Sequence, residues 1–87
     1  MNEFTFSDKG WEDYLYWQRT DKATLLKINE LLKDIRRSGP AEGLGKPEPL
    51  KYRKAWSRRV DREHRLVYAV DEAGNIYILS IRGHYED

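Results

Sequence analysis

Residues 39–50, GPAEGLGKPEPL, divide the chain into two parts of different character. The three glycines and three prolines of this segment cannot continue a helix or a central strand, because proline lacks the backbone N–H and glycine favours turns. The segment is therefore predicted to be a loop, and it is long for a domain of this size. It is either a plain connector or a functional loop that presents Lys46 and Glu48 on a backbone stiffened by Pro47 and Pro49. Both interpretations stay open at this point.

The chain before this loop predicts a short strand and a first helix. Phe4 and Phe6 alternate with polar residues in EFTF, which is typical of a strand with one apolar side. Ser7 or Asp8 can cap the helix that follows, and this helix is expected to end before RTDK. Four aromatic residues recur at helical spacing beside aliphatic ones, and they are predicted to be core or dimer-contact residues rather than base-stacking platforms: Trp11, Tyr14, Tyr16 and Trp17.

A second helix is predicted from Thr20 or Asp21 to the start of the loop. Its apolar residues follow spacings of three, four and three, which make an amphipathic stripe of Leu25, Ile28, Leu32 and Ile35. Gly39 and Pro40 are expected to end it, since glycine tolerates the left-handed exit conformation and proline cannot continue the helical hydrogen bonds.

The chain after the loop predicts three strands. The segments AWSRRV, HRLVYAV and NIYILSIR are separated by DRE and DEAG, as in an antiparallel meander. With the opening strand and the two helices, they predict an α+β fold in which two N-terminal helices pack on one face of a small, mainly antiparallel, twisted sheet. A chain of 87 residues has the length for one core, so residues 1–87 are predicted to form a single domain.

Composition excludes several classes of function. The absence of cysteine removes disulfides and thiolate metal sites, and two histidines make a poor zinc site because zinc takes three or four protein ligands. Neither a phosphate-binding glycine loop followed by Lys-Ser or Lys-Thr nor a glycine-flanked serine occurs. The sequence therefore predicts neither metal nor cofactor. Without an export signal or an apolar run near the roughly 20 residues of a membrane span, a cytoplasmic location without membrane contact is expected.

Positive charge is concentrated in residues 51–65, which hold seven Lys or Arg against Asp61 and Glu63. Such a surface suits phosphate groups, although a solvated basic strand pair has the same composition. If the first meander turn is centred near Arg62, Arg59 lies opposite Arg65. Like charges that face each other are destabilising, so the two side chains either extend into water or hold an anion between them.

The remaining candidates for chemistry are a carboxylate, imidazoles, arginines and phenols. Glu48 lies on the loop, His64 at a strand start, and His84 and Tyr85 near the end of the chain. These groups are sufficient for RNA cleavage without a metal, in which a base takes the 2′-hydroxyl proton, cations hold the charged phosphorane and an acid protonates the leaving oxygen. Composition permits this chemistry without establishing it.

Five ordered motifs, WEDYLYWQ, KINELLKDI, GLGKPEPLK, WSRRVDREHRLVY and GHY, cover nearly the whole chain. Together they resemble the YoeB/Txe toxins of the RelE/ParE superfamily. The resemblance implies a RelE-like fold. It also implies that the chain is the toxin of a type II toxin–antitoxin system and acts as a ribosome-dependent endoribonuclease, which cuts mRNA in the ribosomal A site. It also implies silencing by a YefM-like antitoxin, and it allows a homodimer and joint binding of operator DNA with the antitoxin.

Carried over by position, the resemblance gives four residues catalytic roles. Glu48 becomes the general base on the 2′-hydroxyl, and Arg65 stabilises the charge on the scissile phosphate. His84 becomes the general acid, and Tyr85 orients the substrate or assists proton transfer. The alternative function is a catalytically degenerate member of the fold that pairs with an antitoxin without cleaving RNA.

The resemblance also assigns RNA binding to Lys51, Arg58 and Arg59. His64 lies in the same motif, but a structural hydrogen bond or simple exposure is expected for it. Two departures from the family pattern affect these assignments. The segment YRKA is shorter than its usual counterpart, which bears on the position of Lys51, and the chain continues past His84 and Tyr85 with two further acidic residues.

Overall fold

Two helices pack on a five-stranded mixed sheet in the computed structural model, which describes residues 3–84. The elements in chain order are β1 (Phe4–Phe6), α1 (Asp8–Thr20), α2 (Lys22–Ser38), β2 (Glu48–Pro49), β3 (Trp56–Arg59), β4 (Arg65–Val70) and β5 (Ile76–Ser80). The predicted α+β class is confirmed. Within the described part of the chain, neither helix combines the length and the apolar character that a membrane span requires.

The strand order across the sheet is β1-β5-β4-β3-β2. Strands β3, β4 and β5 form the predicted antiparallel meander. The opening strand is confirmed, and it pairs in parallel with β5, with Phe4 opposite Ile76 and Phe6 opposite Ile78. The two helices thus form the connection between β1 and the rest of the sheet, and the first and last of the described strands lie side by side.

The helix boundaries follow from two capping residues. The Ser7 hydroxyl accepts a hydrogen bond from the Gly10 amide at 3.0 Å, and Asp21 accepts one from the Thr24 amide at 3.1 Å. Asp21 also ends α1, because its own amide donates to the Trp17 carbonyl. One residue therefore serves both helices, so α1 continues to Thr20 and the prediction that it ends before RTDK is wrong. The predicted start of α2 and its end at Gly39 are confirmed.

The core lies between the helices and the sheet. From the predicted α2 stripe, Ile28 and Ile35 are buried, while Leu25 and Leu32 are half-buried at its margin. Leu31, which that spacing omits, is fully buried. The buried residues of the core cluster are Trp17, Ile28, Leu31, Ile35, Val60, Leu66, Tyr68, Ile76, Ile78 and Ile81.

The four aromatic residues of α1 differ in their burial. Trp17 is in the core, and Tyr14 and Tyr16 pack against it. Trp11 is about half exposed and stacks on Tyr14 with ring centroids 6.1 Å apart, while both rings meet Phe6 edge-on. The structure therefore gives core roles to three of these four residues and leaves Trp11 at the surface.

A buried arginine holds the proline- and glycine-rich loop. Arg58 of β3 has no exposed surface. Its Nη2 donates to the carbonyls of Gly39 at 2.8 Å and Glu42 at 2.7 Å, and its Nη1 donates to the carbonyl of Leu44 at 3.0 Å. Three loop carbonyls thus converge on one guanidinium, so residues 39–44 have a defined path over the sheet although they form neither helix nor strand.

Asp34 of α2 compensates the charge of Arg58. One carboxylate oxygen lies 2.6 Å from Arg58 Nη1 and accepts the Leu44 amide at 2.8 Å, while the other accepts from Arg37 at 2.8 Å. The Leu44 amide and the two guanidinium groups hold the pKa of Asp34 well below its usual range. The carboxylate therefore stays ionised at neutral pH, and the buried ion pair joins α2, the loop and β3.

Tyr68 and Gly43 complete this arrangement. The Tyr68 hydroxyl accepts from Arg58 Nε at 2.9 Å and donates to the Pro40 carbonyl at 2.6 Å. Gly43 has a φ of +113°, and a Cβ there would clash with a carboxylate oxygen of Asp34. Only glycine fits at this point of the loop, for both conformational and steric reasons.

The end of the loop differs from its prediction. Glu48 and Pro49 form the short strand β2, in which Glu48 lies opposite Ser57 and Pro49 opposite Trp56. The prediction that residues 39–50 contain no regular structure is therefore wrong for these two positions. An edge strand accepts proline because one side of it needs no backbone donor.

Replacing Arg58 by Met should lower the free energy of unfolding by about 3–5 kcal/mol, because it leaves a buried carboxylate and three loop carbonyls without their donor. Arg62→Met is the control, since Arg62 is exposed in the β3–β4 turn and should change stability by less than about 0.5 kcal/mol. Urea unfolding followed by circular dichroism measures both. Equal effects of the two substitutions would show that Arg58 has no special structural role.

Candidate active site

A cleft of about 310 Å³ brings together five of the ionisable residues singled out in the sequence. The ionisable residues that line it are Lys46, Glu48, Arg59, Arg65 and His84. Their groups come from the end of the loop, from two strands and from the segment after β5. A carboxylate, an amine, two guanidinium groups and an imidazole therefore belong to residues around one space, although the most distant of them, Lys46 and His84, are 38 positions apart.

Glu48 is positioned by the pairing of β2 with β3. Its partner across the ladder is Ser57, which also lines the cleft. The Leu50 amide donates to the Ala55 carbonyl at 2.8 Å and closes the connection between the two strands. Two residues earlier, Lys46 has a φ of 52°, a left-handed conformation that residues with a side chain rarely adopt. The backbone that carries Glu48 thus turns sharply before it joins the sheet.

Arg59 and Arg65 face each other at the end of the β3–β4 hairpin, as predicted. Arg59 is exposed, whereas Arg65 is half-buried. Arg65 Nη1 donates to the carbonyls of Asp61 at 2.9 Å and His64 at 3.2 Å. These bonds hold the Arg65 guanidinium beside Arg59 at the cleft, so positive charge is concentrated there.

His84 is carried into the cleft by the segment that follows β5. The Ile81 amide donates to the buried Asp13 carboxylate at 2.9 Å, and the Ile81 carbonyl accepts from the Trp17 indole at 3.1 Å. Two residues further on, the Gly83 carbonyl accepts from the Arg65 amide at 3.1 Å. Both ends of this short segment are thus attached to the body of the domain. Tyr85, to which the resemblance gives a catalytic role, and the two acidic residues after it lie outside the described residues.

The RNA-binding residues predicted from the sequence lie in three different environments. Arg59 lines the cleft, and Lys51 lines an adjacent groove of about 550 Å³ that shares Pro49 and Leu50 with it. The position of Arg58 corrects its assignment to RNA binding, because its guanidinium is fully buried and is bonded to a carboxylate, a phenol and loop carbonyls. Alternation along β3 places neighbouring arginines on opposite faces, and only Arg59 faces the solvent.

Three residues important to the site were not recognised in the sequence. Ser57 lines the cleft. The pairing of β2 with β3 would have indicated its position opposite Glu48, but the prolines on either side of Glu48 predict a loop rather than a strand. Asp13 and Asp34 are buried anchors for the carboxyl-terminal segment and the loop. Both lie among the polar positions of amphipathic helices, where a charged residue is usually solvent-exposed.

The side chains of the cleft are suited to bind an anion and to transfer protons next to it. A carboxylate accepts a proton, an imidazole accepts or donates one, and two guanidinium groups bind phosphate oxygens. Among residues 3–84, the structure brings together no group of three or more histidine, aspartate or glutamate side chains suited to a metal ion.

Comparison with known proteins gives a family match over nearly the whole chain. Residues 6–85 match the family described as "YoeB-like toxin of bacterial type II toxin-antitoxin system". The chain is 56% identical to Toxin YoeB of Escherichia coli strain K12 over 82 residues, which cover 92% of this chain and 95% of that protein.

Solved structures agree with the sequence match. The toxin in a YoeB-YefM complex from Staphylococcus aureus is 49% identical and superposes with a TM-score of 0.87, covering 98% of this chain and 99% of that one. A YoeB dimer from the same organism is 51% identical with a TM-score of 0.88, covering 97% of this chain and 98% of that one.

Replacing Arg59 by Gln should raise the free energy of unfolding by about 0.2–1 kcal/mol, because it removes one of two like charges that face each other across a strand pair. Arg62→Gln makes the same change in net charge in the adjacent turn, away from this pair, and should have a smaller effect. Urea denaturation at low ionic strength is the appropriate measurement. A loss of stability in Arg59→Gln would mean that the arginine pair carries no electrostatic strain.

Proposed function

This chain belongs to the YoeB-like toxins of bacterial type II toxin–antitoxin systems, and from this membership we propose that it is a ribosome-dependent endoribonuclease. In this proposal it cleaves mRNA in the ribosomal A site without a metal ion and so inhibits translation. The supporting observation is the cleft in which Glu48, Arg59, Arg65 and His84 meet. Access to ribosomes implies that the protein acts in the cytoplasm.

The proposed reaction is an acid–base attack within the RNA chain. The Glu48 carboxylate takes the proton from a ribose 2′-hydroxyl, and the resulting oxygen forms a bond to the adjacent phosphorus atom. The bond from phosphorus to the 5′-oxygen of the next nucleotide breaks, and protonated His84 gives its proton to that oxygen. Glu48 and His84 are both exposed within the cleft, so each can reach a bound phosphodiester.

Arg65 and Arg59 stabilise the negative charge that develops on the phosphorane. Arg65 is held by the Asp61 and His64 carbonyls before substrate arrives, so little reorganisation is needed when the negative charge forms. Arg59 adds a second guanidinium from the facing strand. Lys51, in the adjacent groove, is proposed to contact the RNA backbone beyond the scissile phosphate, and Tyr85 to orient the substrate.

The openness of the site explains the proposed need for a ribosome. Glu48, Arg59 and His84 are all exposed, so the protein alone places little around a flexible RNA strand. A ribosome that holds the mRNA in an attack-ready geometry can supply an orientation effect of about 7–11 kcal/mol. Free RNA is accordingly a poor substrate in this proposal.

Cleavage of mRNA on programmed ribosomes, with the product ends mapped, tests the proposal. Glu48→Gln and His84→Gln should each reduce single-turnover cleavage by about 10²- to 10⁴-fold, because each removes one proton-transfer group. Glu72→Gln, which removes an exposed carboxylate from the turn after the other end of β4, should cleave at the unaltered rate.

The same assay separates the enzyme from a binding module. An unaltered protein that is folded and binds an antitoxin but leaves ribosome-bound mRNA intact would favour a catalytically degenerate member of the family. A protein that cuts free RNA equally fast would contradict the proposed dependence on the ribosome.

We also propose a YefM-like antitoxin as the partner, because the Staphylococcus aureus relative forms a YoeB-YefM complex. The positive cleft suits an acidic antitoxin segment that covers Arg59 and Arg65 and excludes RNA. A homodimer, as in the other Staphylococcus aureus structure, is proposed for the free toxin, and joint binding of operator DNA for the complex.

Addition of the proposed YefM-like antitoxin should abolish cleavage at a stoichiometric ratio, because the bound segment occupies the cleft. Glu72→Gln, outside the cleft, should bind the antitoxin with unchanged affinity, whereas the double substitution of Arg59 and Arg65 by Gln should weaken binding at least about tenfold through loss of charge complementarity. Isothermal titration calorimetry and light scattering measure affinity and stoichiometry. Unchanged affinity in the arginine double variant would place the antitoxin elsewhere.

A further inference from the structure

His64 contacts the segment that carries His84. Its Nδ1 accepts a hydrogen bond from the Gly83 amide at 2.9 Å. Its ring packs edge-on against Trp17, with ring centroids 4.8 Å apart, and it is half-buried. Of the two roles expected from the sequence, a structural hydrogen bond or simple exposure, the structure shows the hydrogen bond. Because Gly83 directly precedes His84, this bond lies one residue from a group in the cleft.

The backbone of His64 is itself fixed. Its amide donates to the Asp61 carboxylate at 2.7 Å, and its carbonyl accepts the Val60 amide at 3.0 Å. The next residue, Arg65, donates its amide to the Gly83 carbonyl at 3.1 Å. Gly83 is therefore held on both sides, by the His64 side chain through its N–H and by the Arg65 backbone through its C=O.

Only one form of the imidazole can make this contact. Nδ1 accepts a hydrogen bond only when the ring is neutral and carries its proton on Nε2. In the imidazolium both nitrogens are donors, and Nδ1–H would then face the Gly83 N–H. The bond thus requires the neutral ring.

We propose that His64 is a positioning residue, whose neutral imidazole holds Gly83 and thereby keeps His84 in the cleft. This inference rests on the proposed function for the role of His84, and on the described contacts alone for the attachment of Gly83. His64 does not touch the substrate in this scheme. It acts through the backbone of the segment after β5. Asp13 and Trp17 attach this segment at Ile81, and His64 attaches it a second time at Gly83.

The charged surroundings of His64 come from four parts of the chain. They are Asp61, Arg62, Glu63 and Arg65 of the hairpin, Tyr16 of α1, Asp21 between the helices, and Arg82 and His84 after β5. Burial acts against ionisation of Asp61, but the amides of His64 and Glu63 outweigh it and hold the pKa of Asp61 below its ordinary value. Its carboxylate therefore remains ionised beside the His64 backbone.

The sign of the pH effect follows from the acceptor. Protonation of His64 on Nδ1 would remove the acceptor, so the bond to Gly83 would be lost and His84 would be less well placed. Protonation of His84 itself acts in the opposite direction, because a general acid must carry its proton. Loss of activity at low pH therefore has a contribution from His64 that a variant with a permanent acceptor lacks.

Two substitutions separate the hydrogen bond from the ring contact. His64→Asn places an amide oxygen near the position of Nδ1, so it keeps an acceptor, loses the ring and does not titrate. His64→Phe keeps a ring against Trp17 and loses the acceptor. We expect single-turnover cleavage on programmed ribosomes to fall about tenfold in His64→Phe and to stay within about threefold of the unaltered rate in His64→Asn, with a weaker decline toward about pH 5.

A spectroscopic measurement on the full chain tests the contact without cleavage. In isotopically labelled protein, a scalar coupling between the Gly83 amide nitrogen and His64 Nδ1 should be present near pH 8 and absent near about pH 5. The Ile81 amide, which is bonded to Asp13, is the internal reference for folding and should stay protected from hydrogen exchange in all variants. His84 should become more mobile in His64→Phe than in His64→Asn.

Several results would overturn the inference. They are the absence of the coupling near about pH 8, cleavage by His64→Phe at the unaltered rate, or equal impairment of the two variants. If the unaltered protein fails to cleave at all, the proposed function fails. The coupling and the mobility of His84 then still decide whether His64 positions this segment.

Discussion

The ion pair between Arg58 and Asp34 determines how the long loop lies on the sheet. A buried guanidinium is costly to desolvate, and it is tolerated only when a carboxylate and further acceptors satisfy it. Here the acceptors are the Asp34 carboxylate, loop carbonyls and the Tyr68 hydroxyl. The contacts that satisfy the Arg58 guanidinium therefore also fix the path of the loop. The loop then enters the sheet as β2, and Glu48 takes its place opposite Ser57.

The cleft depends on two independent attachments. Glu48 arrives with the loop, whereas His84 arrives with the segment after β5, which is bonded to Asp13, Trp17, His64 and the Arg65 backbone. Arg65 links the two sides, because its strand pairs with both β3 and β5. A small domain thus presents exposed ionisable groups in a defined arrangement while the residues that fix them are largely buried.

Two arginines that are neighbours in the sequence show where prediction succeeded and where it failed. The register that puts Arg59 opposite Arg65 follows from a short turn between strands, which is a local property and was predicted correctly. The assignment of Arg58 to RNA binding was wrong, because it rested on charge and on position in a motif. Alternation along a strand separates the faces of Arg58 and Arg59 but does not tell which face is covered by a loop and a helix.

The sequence by itself determined the strand, the two helices, the cap of each helix to within two adjacent residues, and the antiparallel meander, since these depend on spacings of a few residues. It also indicated which ionisable residues were candidates for chemistry. Only the tertiary structure decided the parallel pairing of β1 with β5, the burial of Asp13, Asp34 and Arg58, and the bond from Gly83 to His64. These contacts join residues 19 or more positions apart, and their energy comes from packing and desolvation that arise only once the elements have assembled.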